Sequence, residues 1–462
     1  MTVPAHVFRE YDIRGIADRD LSDALAEGIG RGLAKMLAAS GKAPRLAVGR
    51  DCRLSSPRLH DALLRGLVAS GVSVVDIGIG PTPMLYFAVH HLGTDGGIMI
   101  TGSHNPADEN GFKIMRGKAS FFGADIQALR GVIEKKEWPA EAKGSTEDVD
   151  VQDAYVATMK ERFDFAGAKL GFVVDAGNGA GGPLGIRTMK ALGLSPDPLF
   201  CEMDGSFPNH HPDPTVPKNL DALVSRVKET KARVGLAFDG DADRLGAVDA
   251  AGDIIWGDKL MILFSRALLA KKPGATILGE VKCSQTLYDD IAKHGGKPVV
   301  WKTGHSLIKT KMKETGALLA GEMSGHLFFA DRYFGYDDAI YASLRLLEIL
   351  ANDPRPLADM LADVPKTFTT PEIRVDCPDA IKFDVVKAVT KHYKEKGNAV
   401  LDIDGARISF ASQGAPKWGL VRASNTGPVL VMRFEAGTEA ELGEIKREVE
   451  GVVAAERARL GS

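Results

Sequence analysis

The sequence predicts an α/β protein of several units with mixed, mostly parallel sheets, closed by a smaller α+β unit. Three observations carry this. Short apolar runs alternate with longer amphipathic stretches from Ser22 to Ala351. The chain has 462 residues, enough for two to four domains at roughly 100–200 residues each. Beyond Pro365 the alternation ends and strand-like runs crowd together.

The elements follow in order. Arg45–Val48, Val72–Val75, Gly97–Ile100, Gly171–Val174, Val234–Phe238, Ala275–Leu278 and Ala317–Ala320 are short apolar runs that read as buried strands. Ser22–Ala39, Ser56–Ser70, Leu220–Thr230, Trp256–Ala270 and Asp337–Ala351 read as the helices between them. In the last part Phe368–Val375, Ala399–Ile403, Ala406–Ala411, Trp418–Ala423 and Val429–Glu435 read as neighbouring strands. Composition breaks lie at Glu134–Asp150, around Ala250–Asp253 and from Asn352 to Pro365. They divide the chain into four domains: 1–148, 149–252, 253–364 and 365–462. No strict internal sequence repeat is visible.

Composition excludes several classes. With 58 Lys and Arg against 61 Asp and Glu, the net charge is −3, which does not suit a protein built to neutralise nucleic-acid phosphates. Hydrophobic residues at 44% and charged residues at 26% are globular, not disordered. Cys52, Cys201, Cys283 and Cys377 are scattered without a CxxC pair, so neither a disulfide framework nor a zinc site is expected. The start Met1–Asp12 meets charge too early for a signal peptide, and no apolar run is long enough for a membrane span. A soluble cytoplasmic protein, with no nucleic-acid or membrane partner, is expected.

Three strands run directly into polar loops. Ile98–Ile100 enters Thr101-Gly102-Ser103-His104-Asn105-Pro106, Leu236–Phe238 enters Asp239-Gly240-Asp241-Ala242-Asp243-Arg244, and Leu318–Ala320 enters Gly321-Glu322-Met323-Ser324-Gly325-His326. Ligands of open α/β sheets bind beyond the carboxyl ends of strands, so the three loops suggest a shared cleft. Asp239, Asp241 and Asp243 fall on one side of an extended segment, and their repulsion is relieved by a hard divalent cation such as magnesium. An EF-hand does not fit, because Arg244 stands where Gly is needed and Ala250 where Glu is needed. Ser103 sits where a serine can carry a phosphoryl group covalently, and His104 can position that group or move a proton. The second Gly of an esterase elbow is missing. Glu322 and Ser324 suit adjacent sugar hydroxyls, although a plain polar turn reads as well.

Arg422-Ala423-Ser424-Asn425-Thr426-Gly427-Pro428, with Arg433 after it, has a phosphate-binding composition. Gly177-Asn178-Gly179-Ala180-Gly181-Gly182 fits GxGxxG after a strand, with Glu202 near the expected acid. A single such match is weak evidence for a dinucleotide site, and Asp175 interrupts its strand. No P-loop sequence is present.

Taken together and in this order, the loops resemble the α-D-phosphohexomutase superfamily, and within it the bacterial phosphomannomutase/phosphoglucomutase group. Phe8–Gly15, Gly111-Phe112-Lys113 and Lys302-Thr303-Gly304-His305-Ser306 are similar to that family too. The resemblance covers nearly the whole chain. It implies four domains around a central cleft, the last TATA-binding-protein-like. It implies a phosphoserine at Ser103, with magnesium held by Asp239, Asp241 and Asp243 and the Ser103 phosphoryl group. Catalytic roles are implied for Ser103, His104, Lys113 and Arg244. Sugar and phosphate contacts are implied for Tyr11, Arg14, Lys282, His305, Glu322, Ser324, Arg422, Ser424, Asn425, Thr426 and Arg433. Met323 looks like the group accepting both mannose and glucose phosphates. One departure is Ser56, where relatives commonly have Gly.

The implied reaction interconverts hexose 1-phosphate and hexose 6-phosphate through a hexose 1,6-bisphosphate, which also serves as activator, in a monomeric enzyme. Two rivals stand beside it. Asp239-x-Asp241 after a strand also resembles aspartyl-phosphate haloacid-dehalogenase-like phosphatases, though their fifth position is usually Thr or Val and here is Asp243. A non-catalytic sugar-phosphate-binding protein would need a broken catalytic loop, and none is broken.

Overall fold

The computed structural model describes residues 3–38, 43–412, 414–425 and 427–461. Four sheets follow one another along the chain. The first runs Ile13–Ile16, Glu109–Arg116, Gly96–Ile100, Arg45–Arg50, Ser73–Ile79, Ser145–Asp148, with Ala119–Ser120 beside Glu109–Arg116. The second runs Ile254–Ile255, Leu245–Asp249, Val234–Phe238, Phe172–Asp175, Asp197–Leu199. The third runs Lys297–Trp301, Thr276–Glu280, Leu319–Gly321, Leu327–Phe329. The fourth is antiparallel and built on Val429–Ala436 and Trp418–Ala423, with helices Lys382–Glu395 and Glu439–Leu460 packed on it.

The first three sheets share one plan. In each, a first strand (Arg45–Arg50, Phe172–Asp175, Thr276–Glu280) is flanked by a second and a third, both parallel to it. The third strand then turns back into an antiparallel fourth: Glu109–Arg116, Leu245–Asp249 and Leu327–Phe329. The three polar loops are these three hairpin turns. The sequence reading expected mixed, mostly parallel sheets; in each sheet a parallel core is joined by an antiparallel return, and these returns place corresponding loops at corresponding points. The repeat is one of topology, not of sequence.

Apolar alternation explains the layering. Leu46, Val48, Ile98 and Ile100 face helices Asp23–Leu37 and Ser56–Val68, whereas Ala47 and Met99 face a second core, which runs on into the second and third sheets. Both faces are buried, so these strands read as continuous apolar runs rather than alternating ones. In the fourth sheet Val421 and Ala423 join that unit's own core, and Trp418 and Leu420 pack on Val281 of the third. Phe368–Val375, expected as one strand, is split into Phe368–Thr369 and Ile373–Asp376. Pro371 lies between them, without an N–H for the ladder. All four cysteines are free; burial pushes the Cys52 and Cys201 thiols up to about 12. Among the described residues no helix is long and apolar enough to cross a membrane.

Candidate active site

Ser103 is buried at the tip of the first hairpin, with φ 49°. A left-handed backbone costs a non-glycine residue about 1–2 kcal/mol, so its surroundings must hold it there. Its N–H donates to Thr101 Oγ1 (2.8 Å) and its hydroxyl to Asp239 Oδ2 (3.0 Å). His104 Nδ1 lies 3.1 Å from the same hydroxyl. Burial first, then the Arg244 and Arg14 charges, push His104 well below its usual range, so it is neutral. The second hairpin seats directly against the first: a Cβ on Gly240 would come within 2.3 Å of the Ser103 carbonyl oxygen, so only glycine fits.

The second hairpin brings Asp239, Asp241 and Asp243 together, fully buried, with one oxygen of each within 4.8 Å of the others. Asp239 Oδ1 accepts from the N–H groups of Asp243 and Arg244 (both 3.1 Å). Burial, then the neighbouring Asp243 and Asp241, push Asp239 well above the usual carboxylate range. Asp243 moves the other way: burial opposes its charge, but Lys113 and His326 hold it well below. Asp241 Oδ1 is buried without a hydrogen-bond partner. Hard oxygen donors, one of them orphaned, fit a divalent cation. Lys113 reaches this centre from the antiparallel strand Glu109–Arg116. Its ammonium donates to Asp241 Oδ2 (2.6 Å) and to Asp243, so it is ion-paired within the acidic cluster. Arg244 Nε lies 4.0 Å from Asp239 Oδ2. Arg14 is held by Asp12 (2.6 Å) and donates to Asn105 Oδ1 (3.1 Å).

The third hairpin carries Glu322 and Ser324. Although burial opposes it, His326 (2.5 Å from Oε2) and the Gly304 N–H (2.6 Å) hold Glu322 at about 2, ionised and able to accept hydroxyl groups. His326 is raised to about 9: burial works against its charge, and Asp243 (3.2 Å) and Glu322 overcome it. This imidazolium ties the acidic cluster to the sugar loop. His305 opens helix His305–Thr315, stacks on His326 at 5.6 Å, and is kept neutral by burial and by Lys309. Lys282 pairs with Glu372 (3.3 Å).

In the fourth unit Arg422 donates to both Asp404 oxygens (3.2 and 3.4 Å), and Asp404 also accepts from the Thr303 N–H (2.9 Å). Asn425 donates to the Tyr11 hydroxyl (2.8 Å), which donates to the Thr303 carbonyl (2.9 Å). Ser424 is buried nearby, and Thr426 lies outside the described residues. Arg433, grouped with this loop in the sequence, is held elsewhere. Its guanidinium donates to the Lys282 carbonyl (2.6 Å) and touches Met323, at the sugar loop.

The Gly177–Gly182 turn is not shaped for a dinucleotide. The N–H groups of Asn178, Gly179 and Ala180 donate to the carbonyls of Phe200, Ala176 and Gly240, leaving none of these three for a pyrophosphate. Sequence reasoning missed Asp12, Arg53, Asp404 and the role of His326. All are buried or half-buried charged groups, a property that residue type alone does not announce.

The comparisons with known proteins agree along the whole chain. Phosphoglucomutase/phosphomannomutase alpha/beta/alpha domains I, II and III match residues 5–140, 153–252 and 256–368, and the C-terminal domain of that family matches 372–452. The chain belongs to the phosphoglucomutase/phosphomannomutase family. Among its relatives, a phosphomannomutase/phosphoglucomutase of Pseudomonas aeruginosa is 48% identical, over 96% of this chain and 95% of that protein. A phosphoglucomutase of Neisseria gonorrhoeae is 44% identical, over 98% and 97%. A solved phosphoglucomutase/phosphomannomutase family structure from Burkholderia thailandensis superposes with TM-score 0.90 at 42% identity, covering 98% of each chain. As a member of this mutase family the chain is an enzyme with four domains, and the haloacid-dehalogenase-like reading is not favoured.

Proposed function

We propose that this phosphohexomutase interconverts hexose 1-phosphate and hexose 6-phosphate, for both mannose and glucose, with Ser103 as phosphoryl carrier. The observation that carries the reading is the Ser103 hydroxyl, buried between Asp239 and His104 where two hairpins meet. The names of the relatives support both sugars. Units 1–148, 149–252, 253–364 and 365–462 each supply one loop to the cleft. The free cysteines suit a reducing cytoplasm.

In the first half of the cycle a sugar hydroxyl oxygen attacks the phosphorus on Ser103. The P–Oγ bond breaks, and the hydroxyl proton ends on the released Oγ. Neutral His104, 3.1 Å from Oγ, is placed to relay it. The hexose 1,6-bisphosphate so formed turns over in the cleft. In the second half Ser103 Oγ attacks its other phosphorus, that P–O(sugar) bond breaks, and the seryl proton ends on the freed sugar oxygen. Supplied from outside, the bisphosphate primes the enzyme. Asp239, Asp241 and Asp243 would hold magnesium, which supplies charge neutralisation for the phosphoryl oxygens when bound. Lys113 and Arg244 add fixed positive charge beside that group. Glu322 and Ser324 bind sugar hydroxyls, with Lys282 and His305 beside them. Tyr11, Arg422, Ser424, Asn425 and Thr426 hold the phosphate that is not reacting or the loop that does so. Arg14 lines the cleft beside the Ser103 loop, and Arg433 steadies the sugar loop at Met323.

Ser103→Ala should cut turnover by several orders of magnitude in a folded protein, measured with mannose 1-phosphate and glucose 1-phosphate side by side and with bisphosphate added. Activity within about tenfold of the parent would overturn the carrier assignment.

A further inference from the structure

The Ser103 loop has no regular secondary structure between strands Gly96–Ile100 and Glu109–Arg116, so its backbone carbonyls need partners outside a ladder. One side chain gathers them. Arg53, fully buried, donates from Nη2 to the carbonyls of Ser103 and Asn105 (both 2.6 Å), and from Nη1 to those of Glu109 (2.9 Å) and Pro106. Its Nε faces Asp51 Oδ2 at 3.3 Å, and the Phe207 ring covers the guanidinium at 5.1 Å. Asp51 completes the clamp: it accepts from the Gly102 N–H (3.3 Å), the Arg53 N–H (3.0 Å) and Ser56 Oγ (2.5 Å). Ser56, the departure from the relatives' glycine, thus orients the carboxylate that faces Arg53.

We infer that Arg53 is a positioning residue for phosphoryl transfer: its planar fork fixes the Ser103 loop so that the carrier hydroxyl meets the acidic cluster. The Ser103 carbonyl is confined from two sides, by Arg53 Nη2 and by the backbone of Gly240. The left-handed Ser103 backbone is thereby held, and the hydroxyl is aimed at Asp239. A lysine cannot replace this. It carries three donors on one atom, where the guanidinium carries five in a rigid plane. The proposal rests on Ser103 being the phosphoryl carrier. A displacement of the carrier by about 1 Å is enough to cost on the order of a hundredfold in rate.

The test compares Arg53→Lys and Arg53→Ala with the parent, after thermal melting has shown that each is folded at the assay temperature. Arg53→Lys should lower kcat about ten- to a hundredfold. The KM for glucose 1-phosphate should stay within about threefold, because no sugar or distal phosphate contact is touched. Single-turnover transfer from the phosphoenzyme should slow by the same factor as kcat. Added guanidinium ion should restore activity to Arg53→Ala and leave the parent unimproved. A folded Arg53→Lys with parental kcat, or one whose loss lies in KM alone, overturns the proposal. So does failure of both variants to fold with or without guanidinium, which makes Arg53 a folding residue only. Ser103→Ala measured in parallel separates the two readings. Turnover surviving in it overturns the carrier assignment and this proposal together, whereas an inactive Ser103→Ala beside a fully active Arg53→Lys overturns the role of Arg53 alone.

Discussion

Lys113 shows how a single side chain can carry both stability and chemistry. Burial alone would push its ammonium towards neutrality, but Asp241 and Asp243 hold it charged and above its usual range. It in turn keeps Asp243 ionised in a fully buried place. Removing one partner of a buried ion pair typically costs about 3–5 kcal/mol, because the other charge is left uncompensated. Lys113→Met should therefore melt at a distinctly lower temperature than the parent. A divalent cation such as magnesium, if held by the same carboxylates, should restore part of that loss. The expected outcome is a larger rise in melting temperature on adding magnesium to Lys113→Met than to the parent. Equal rises in the two proteins would show that Lys113 does not compensate the triad. The sequence placed this lysine in the cleft only by resemblance, since nothing in Gly111-Phe112-Lys113 itself points to three aspartates more than a hundred residues away.

At the scale of elements, the first strand of each α/β sheet ends in, or is followed at once by, an acid whose side chain accepts from the N–H two residues on. Asp51 binds the N–H of Arg53 (3.0 Å), Asp175 that of Gly177 (2.8 Å) and Glu280 that of Lys282 (3.1 Å). In the first and third sheets the same acid also accepts from the functional hairpin, at Gly102 and Met323 (both 3.3 Å). Glu280 further accepts from Thr303 Oγ1 (2.5 Å), so it joins three segments of the proposed sugar site. Glu280→Gln replaces one acceptor oxygen by an N–H₂ donor, which must then face a donor. One lost bond to a charged group is worth about 1.5–3 kcal/mol. The KM for hexose phosphate should rise roughly tenfold or more, while phosphorylation of Ser103 by bisphosphate stays near parental. An unchanged KM would show that the sugar loop stands without Glu280. The third strands and their polar turns were legible because an apolar run ends abruptly in Gly and polar residues. The antiparallel fourth strands were not. Glu109–Arg116 mixes Lys113 and Asn110 with apolar residues, and functional groups on the buried face break the period of two. The acids at Asp51 and Glu280 look like ordinary turn residues until the hairpin that bonds to them is known.

Across the whole molecule, the fourth unit is fastened unevenly. Towards the third it is locked by buried groups. Arg407 donates to the carbonyls of Val281 (2.7 Å) and Cys283 (3.0 Å), and Glu435 accepts from Ser284 Oγ (2.5 Å) and the Gln285 N–H (3.0 Å). Towards the first, the described side-chain hydrogen bond is that of Asn425 on the Tyr11 hydroxyl, and the same hydroxyl reaches the Thr303 carbonyl. A bisphosphate that must turn round needs the cleft to loosen without releasing it, and phosphoserine must meanwhile be kept from water. A strong seam on one side and, among the described residues, a lighter contact through the Tyr11 hydroxyl on the other meet both needs, because the weaker seam opens first. Tyr11→Phe keeps the ring and deletes both bonds, each worth about 0.5–1.5 kcal/mol net. At about 1 kcal/mol per bond, the two lost bonds should lower the closed arrangement roughly thirtyfold in population relative to the open one. Small-angle scattering should then show a larger radius of gyration than in the parent. The fraction of bisphosphate escaping per turnover should rise by a similar factor, with a greater need for added activator. If scattering and escape both match the parent, the Tyr11 hydroxyl does not hold the cleft, and closure depends on the Asp404 contacts to Thr303 and Arg422 instead.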